Sequence, residues 1–430
     1  MKKYYVHTMG CQMNVHDSEK MSGILKAEGY IQADTPRDAD LIIFNTCSIR
    51  QKAEQKFFSE LGRLKSLKKK RPGIKIAVAG CIAQQEGSKI FQRAPHVDFV
   101  LGPQNIHKVR EIAQAENDFV AVEDNPFLTD MEFPVEREDS IRAWVNIMYG
   151  CNNFCSYCIV PYTRGREKSR ASHDIVNEVK GLAERGYKEV TLLGQNVNSY
   201  RSSTDFPGLL RQINAVEGLE RIRFVTSHPK DLSDDLIHAI RDLEKVCEHM
   251  HLPLQSGSTE ILGKMNRKYT YDEYLQRVEK LKKEIPGIAI TTDIIAGFPR
   301  ETEEDHLCTV RALREIQYDG IFAFKYSPRV GTRAASMEGH LDAVVKSERL
   351  SEILELQNKI TDMKNRALKG TVQEVLVEGQ SEKDEGRLTG RTRSNKIVTF
   401  PDTPDSKPGS VVSLEITKAN RHSLEGIILF

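Results

Sequence analysis

Read for the spacing of its apolar positions, the chain opens on one pattern repeated three times: a short apolar run, then a stretch with apolar residues at helical spacing. YYVHTMGC reads as a strand ending at Cys11, followed by a helix with Met21, Ile24 and Leu25 on one face and a stop at Gly29. ADLIIFNTC is a second strand, ending at Cys47, before a helix carrying Ala53, Phe57, Leu61 and Leu64. IKIAVAGC is a third, ending at Cys81. This alternation predicts an α/β fold, an open parallel sheet with helices on its faces, over residues 1–118. Such sheets bind ligands beyond the carboxyl ends of their strands. Each cysteine falls at such an end, so the fold brings together three thiols that lie far apart in sequence.

The stretch ENDFVAVEDNPFLTDMEFPVEREDS, residues 116 to 140, is acidic, holds two prolines and keeps no period, which predicts a linker, placed at 119–136. A second series starts at Arg142. Its strands are RAWVNIM, EVTLLG, RIRFVTS, HMHLPLQ, AITTDIIAG and IFAFKYS, separated by helical patterns such as SHDIVNEVKGLAERG, where Ser172 is the expected N-cap. Six βα units predict a full or partial (β/α)6 barrel over 137–365, with polar strand tails gathered at its C-terminal mouth. A long helical stretch around 343 to 369 comes next. Five short strands then follow, TVQEVLVEG, GRLTGRT, KIVTF, SVVSLEITKA and LEGIILF, and predict a small all-β barrel of the oligonucleotide-binding kind over 366–430.

Composition narrows the class without naming a partner. The 430 residues include 62 basic and 61 acidic ones, so nucleic-acid contact must come from local patches. No apolar run approaches the roughly 18 to 20 residues of a membrane span, and MKKYYVHTMG lacks a signal-peptide core. The expectation is a soluble cytoplasmic protein with no membrane contact. Its thiols would be reduced, and clustered thiols in that setting are metal ligands or catalysts before they are disulfides.

The densest cluster is CxxxCxxC at Cys151, Cys155 and Cys158, directly after the first barrel strand. Three thiols either join a distant fourth ligand on zinc or hold a 4Fe-4S cluster with one iron left open. For Cys11, Cys47 and Cys81 the alternatives are buried apolar residues, a zinc site or a second cluster. Cys247 and Cys308 match no ligand position and read as core or incidental.

CxxxCxxC on the first strand of an α/β barrel resembles the radical S-adenosylmethionine (SAM) superfamily, and with GCQMN, NTCSIRQKAEQK and GCIAQQ the whole chain resembles its methylthiotransferase family. The resemblance implies a radical-SAM barrel at the centre and a C-terminal RNA-binding TRAM domain. It implies a SAM-binding 4Fe-4S cluster on Cys151, Cys155 and Cys158, and an auxiliary 4Fe-4S cluster on Cys11, Cys47 and Cys81. It places SAM against Tyr157, against Gln195 of LLGQN, Ser227 of SHP and Gln255 of LQSGS, and against Asp293 of DIIAGFP.

Together with PYTRGREKSR and LLGQNVNSY, these motifs resemble most the branch that adds a methylthio group to C2 of N(6)-dimethylallyladenosine beside the tRNA anticodon. That branch uses SAM both as methyl donor and as source of a 5′-deoxyadenosyl radical. The alternative substrates are threonylcarbamoyl-adenosine in tRNA and a ribosomal-protein aspartate. Implied partners are tRNA and a low-potential electron donor such as flavodoxin, with the enzyme a monomer. Candidate tRNA contacts are Arg164, Arg166 and Arg170 in TRGREKSR, and Arg391, Arg393 and Lys396 in GRLTGRTRSNKIVTF, where Phe400 is available for stacking. The basic run KSLKKKRPGIK, 65 to 75, reads equally as a solvated helix end.

Overall fold

The computed structural model describes residues 1–47, 51–112, 114–115, 117–382, 384–404 and 406–429, with backbone alone at 51–53. In the N-terminal domain six parallel strands lie in the order Ile31–Gln32, Lys3–Met9, Leu41–Thr46, Lys75–Gly80, Phe99–Leu101 and Phe119–Ala121. The run Leu41–Thr46 is buried throughout, as a central parallel strand must be when helices cover both faces. Met21, Ile24 and Leu25 of helix Gln12–Ala27 pack on Ile43 and Ala77 on one face. Phe57, Leu61 and Leu64 of helix Gln51–Lys70 pack on Ile42, Ile76 and Val78 on the other. Each such buried side chain contributes about 1.5–3 kcal/mol. The Ala53 side chain expected on that face lies outside the described residues.

The expected linker begins later than its composition suggests. Phe119–Ala121 pairs with Phe99–Leu101 as the edge strand of the sheet, so the domain runs past 118. Three residues in acidic surroundings are too short to display a period. Nor is the rest a free tether. The Glu136 amide donates to Glu19 O at 3.0 Å, and buried Arg137 pairs with Glu19 at 3.5 Å and Glu178 at 3.0 Å.

The central domain has the six expected parallel strands, Arg142–Asn146, Glu189–Leu193, Arg221–Phe224, His249–His251, Ala289–Ala296 and Gly320–Lys325, in sequential order. They form two three-stranded sheets bridged at Ile222 and Val246, a partial barrel whose Val145, Leu192, Ile222, Phe224, Met250, Ile290 and Ile294 share one core with residues of the flanking helices such as Ile175 and Leu209, Phe224 meeting Phe206 edge-on at 5.1 Å. Helix Ser172–Glu184 starts one residue earlier than expected. Ala171 is its N-cap, and the Ser172 hydroxyl bonds that of Ser203 at 2.7 Å instead of a helix amide. Helix Ala343–Arg366 leads to a closed five-stranded barrel, Val372–Gln380, Arg387–Thr392, Ile397–Pro401, Leu424–Ile428 and Val411–Ala419. Among the described residues no helix is long and apolar enough to cross a membrane.

The small barrel caps the amino ends of the large barrel's strands, opposite the mouth. Arg221, the first residue of its strand and wholly buried, donates to Arg391 O at 2.6 Å and to Glu374 at 2.8 Å. Arg223 donates to Glu189 at 2.8 Å, to Arg393 O at 2.9 Å and to Thr392 O at 2.7 Å. Arg142 reaches Glu378 at 2.7 Å.

Candidate cofactor-binding centre

Cys11, Cys47 and Cys81 leave three adjacent strands whose last residues, Met9, Thr46 and Gly80, stand side by side in register. The thiol of Cys47 interacts with both of the others. The nearness of Cys47 pushes Cys11 and Cys81 down to about 6 against the effect of their burial, and the charge of Arg164 helps; Cys47 goes up in return. Glycine is required just before Cys81: Gly80 has φ +91°, and a Cβ there would stand 2.3 Å from Thr46 O.

A polar frame that the sequence did not single out fixes the triad. Cys11 Sγ donates to Asn14 Oδ1 at 3.3 Å, Asn14 Nδ2 donates to Asn45 Oδ1 at 3.0 Å, and Asn45 Nδ2 returns to Asn14 O at 2.7 Å and Ser18 Oγ at 2.9 Å. The spacing of Cys11, Asn14 and Ser18 at the head of one helix was the available signal. Ser48, Ile49 and Arg50 of NTCSIRQKAEQK lie outside the described residues.

Cys151, Cys155 and Cys158 occupy the loop after the first barrel strand. Burial raises Cys151 and pushes Cys158 up to about 12. The loop turns at Gly150, φ +68°, where a Cβ would lie 2.0 Å from Arg166 O. Buried Arg267, also absent from the sequence reading, donates from Nη1 to Cys155 Sγ at 3.4 Å and from Nη2 to Pro253 O at 2.9 Å. Its place in MNRKYT, far from any cysteine, hid it.

The two triads are neighbours. Helix Val160–Thr163 starts two residues after Cys158 and packs on helix Cys81–Glu86, and Thr163 at its end helps to lower the Cys81 thiol. Five residues of chain reach at most about 18 Å, and less where four are helical. Among the described residues no group of His, Cys, Asp and Glu side chains is placed to hold a single metal ion. The donor chemistry fits a larger group: each site offers three thiols, the number that binds a 4Fe-4S cluster with one iron left for another ligand.

Beside the second triad, the ends of the second and third barrel strands present buried polar atoms without partners: Gln195 Oε1 and Nε2, Asn196 Oδ1, Ser227 Oγ and His228 Nε2. Unpaired buried polar groups are costly, and a polar ligand at the mouth satisfies these. Burial and the charge of Arg267 push His228 down to about 2, so the ring is neutral. Its Nδ1 accepts from the Lys230 amide at 3.2 Å, which leaves Nε2–H as a donor. Tyr157 packs beside Phe298 and Tyr326. Gln255 takes φ +72° while its amide donates to Asp293 O at 2.8 Å. Asp293 lies inside its strand, as AITTDIIAG implies, with its carboxylate 3.6 Å from His251. Ser256 and Ser258 are engaged in capping helix Thr259–Lys264.

Most of the cations expected to meet tRNA are spent within the protein. Arg164 is buried against Asp17 at 2.9 Å, and Arg170 pairs with Glu178 at 2.8 Å. Arg391 pairs with Glu378 at 3.1 Å, Arg393 with Glu248 at 2.7 Å and Lys396 with Asp319 at 3.2 Å, all where the small barrel meets the large one. Phe400 is wholly buried in the small barrel's core and stacks on nothing outside it. Arg166 is the exception: exposed, without an ion pair among the described residues, and 4.3 Å over the Phe154 ring, which meets Tyr162 edge-on at 5.9 Å.

Three family descriptions match the chain: Uncharacterized protein family UPF0004 over residues 3–102, Radical SAM superfamily over 145–313 and TRAM domain over 366–429. A protein of Thermodesulfovibrio yellowstonii named tRNA-2-methylthio-N(6)-dimethylallyladenosine synthase is 55% identical over 427 residues, 99% of this chain and 98% of its own. One of the same name from Clostridium novyi is 49% identical over 438 residues, 100% of this chain and 97% of its own. Among solved structures, the radical S-adenosylmethionine methyltransferase TsrM of Kitasatospora setae, with cobalamin and a [4Fe-4S] cluster bound, aligns with TM-score 0.56 at 14% identity over 78% of this chain and 77% of that one. The cobalamin-dependent S-adenosylmethionine radical enzyme OxsB aligns with TM-score 0.55 at 11% identity, covering 84% and 56%. Both share the fold.

Proposed function

The chain belongs to the tRNA-2-methylthio-N(6)-dimethylallyladenosine synthase family of radical-SAM methylthiotransferases, and from that premise we propose that it adds a methylthio group to C2 of N(6)-dimethylallyladenosine beside the anticodon of tRNA. The observation that carries this reading is the meeting of two three-thiol sites, one at the sheet's strand ends and one at the barrel mouth, across helix Val160–Thr163. An adenine C2–H is neither acidic nor electrophilic, so side-chain acids and bases cannot open it and cofactor chemistry must. Membership brings SAM and a 4Fe-4S cluster, to which the proposal adds a second cluster on Cys11, Cys47 and Cys81; bound together they supply the hydrogen-abstracting radical and the sulfur with its methyl group.

The residues of the chain bind and orient. Cys151, Cys155 and Cys158 hold one group and Cys11, Cys47 and Cys81 the other. Gln195, Ser227 and His228 offer their unpaired polar atoms to SAM, with Tyr157, Gln255 and Asp293 completing the pocket. Arg166, Phe154 and Tyr162 form a rim beside Cys155 that suits a phosphate and an unstacked base, since a single-stranded loop releases a base cheaply. No side chain supplies the electron, so a low-potential carrier such as flavodoxin is the partner proposed, with the chain working as a monomer.

The test is substrate choice in vitro. Full-length protein, reconstituted anaerobically and given SAM and a reductant, is expected to add the methylthio group, read by nucleoside mass spectrometry, to tRNA carrying dimethylallyladenosine. tRNA carrying threonylcarbamoyl-adenosine and ribosomal protein are expected to stay unmodified. Modification of either in preference reassigns the substrate.

A further inference from the structure

Arg164 lies in the loop that leaves the SAM-side cysteines, yet its guanidinium is buried in the other domain. Its Nη2 donates to Asp17 Oδ2 at 2.9 Å and to Asn14 Oδ1 at 3.5 Å. Asn14 Oδ1 also accepts from Cys11 Sγ at 3.3 Å, so one amide oxygen separates the guanidinium from a thiol of the first triad. The preceding residue, Thr163, ends the helix that packs on helix Cys81–Glu86. Asp17, with 3% of its side chain exposed, is the one carboxylate paired with Arg164 among the described residues. A buried cation tied to a buried anion repays its desolvation only with good geometry and further hydrogen bonds, and the further bond here runs through Asn14 Oδ1 to the Cys11 thiol.

We infer that Arg164 is the positioning residue of the Cys11, Cys47 and Cys81 site: it offsets negative charge on the ligated thiols and fixes their distance from Cys151, Cys155 and Cys158. The inference rests on the reading that those cysteines hold the second cluster. A cluster on three thiolates gains negative charge on reduction, and a fixed cation beside it favours the reduced form. Asp17 works in the opposite sense, since it takes up part of the guanidinium's charge. The pair therefore sets the potential of the site, and the short chain segment from Cys158 to Arg164 makes any movement of one triad felt at the other.

The two signs give the test. Full-length protein with Cys151, Cys155 and Cys158 changed to alanine is reconstituted anaerobically, its iron is counted, and the remaining cluster is titrated against potential by EPR. The background is expected to hold about four irons. R164Q lowers the potential by at least one tenfold step in the ratio of reduced to oxidised cluster, about 59 mV for one electron. D17N raises it, and R164K returns it toward the parent. A general packing defect moves both variants the same way. Four irons with an unmoved potential, or with R164Q and D17N shifted in one direction, overturns the inference and leaves the cluster assignment standing. A background without iron overturns both. If R164Q does not fold, the rise in D17N and the parent-like R164K decide the question.

Discussion

Changing Cys11, Cys47 and Cys81 together to alanine is expected to remove about four of about eight irons per chain, abolish methylthio transfer and leave reductive SAM cleavage in place. Changing Cys151, Cys155 and Cys158 is expected to remove the other half and abolish both. The asymmetry follows from where the two triads sit. The unpaired polar atoms of Gln195, Ser227 and His228 gather at the barrel mouth with the second triad, so SAM binding and cleavage are expected there. The first triad stands on a separate sheet, just beyond strand ends whose register is set by backbone pairing of Met9 with Thr46 and of Thr46 with Gly80. Iron analysis, the yield of 5′-deoxyadenosine and nucleoside mass spectrometry read the three outcomes separately. Loss of SAM cleavage on removing the first triad contradicts this division of labour, and zinc in place of iron contradicts the cluster reading itself.

The second large effect is on architecture. R223A is expected to destabilise the protein by about 3–5 kcal/mol, because it leaves Glu189, with 3% of its side chain exposed, as a buried charge without its partner. It also removes the donors to Thr392 O and Arg393 O that hold the small barrel under the large one. The expected result is a lower unfolding temperature and faster proteolysis where helix Ala343–Arg366 meets the first strand of the small barrel. The exposed pair Arg366 with Asp362, 2.9 Å apart and four residues along one helix, is the control. R366A is expected to cost about 0.3–0.5 kcal/mol. Equal effects of the two substitutions rule out the docking role of Arg223.

Placement by strand ends was legible in the sequence because parallel sheets leave little choice: a cysteine after each of three apolar runs must come out on one edge. The same logic found Gln195, Ser227 and His228 at successive barrel ends. Partners were not legible. Arg164, Arg170, Arg391, Arg393 and Lys396 read as cations seeking solvent or phosphate, because the acids that meet them, Asp17, Glu178, Glu378, Glu248 and Asp319, are for the most part distant in sequence. Arg267 was invisible for the same reason, since its tie to Cys155 spans more than a hundred residues. Phe400 alternates into a closed barrel, and closure turns its ring inward. The edge strand Phe119–Ala121 was lost because three residues carry no period.

The most direct measurement is mass spectrometry of tRNA nucleosides from cells lacking this protein, with and without the wild-type chain restored. Methylthio-dimethylallyladenosine is expected to vanish, its dimethylallyl precursor to accumulate, and restoration to reverse both, while the chain with Cys11, Cys47 and Cys81 changed to alanine fails to do so. An unchanged level of the methylthio nucleoside in cells without the protein contradicts the account.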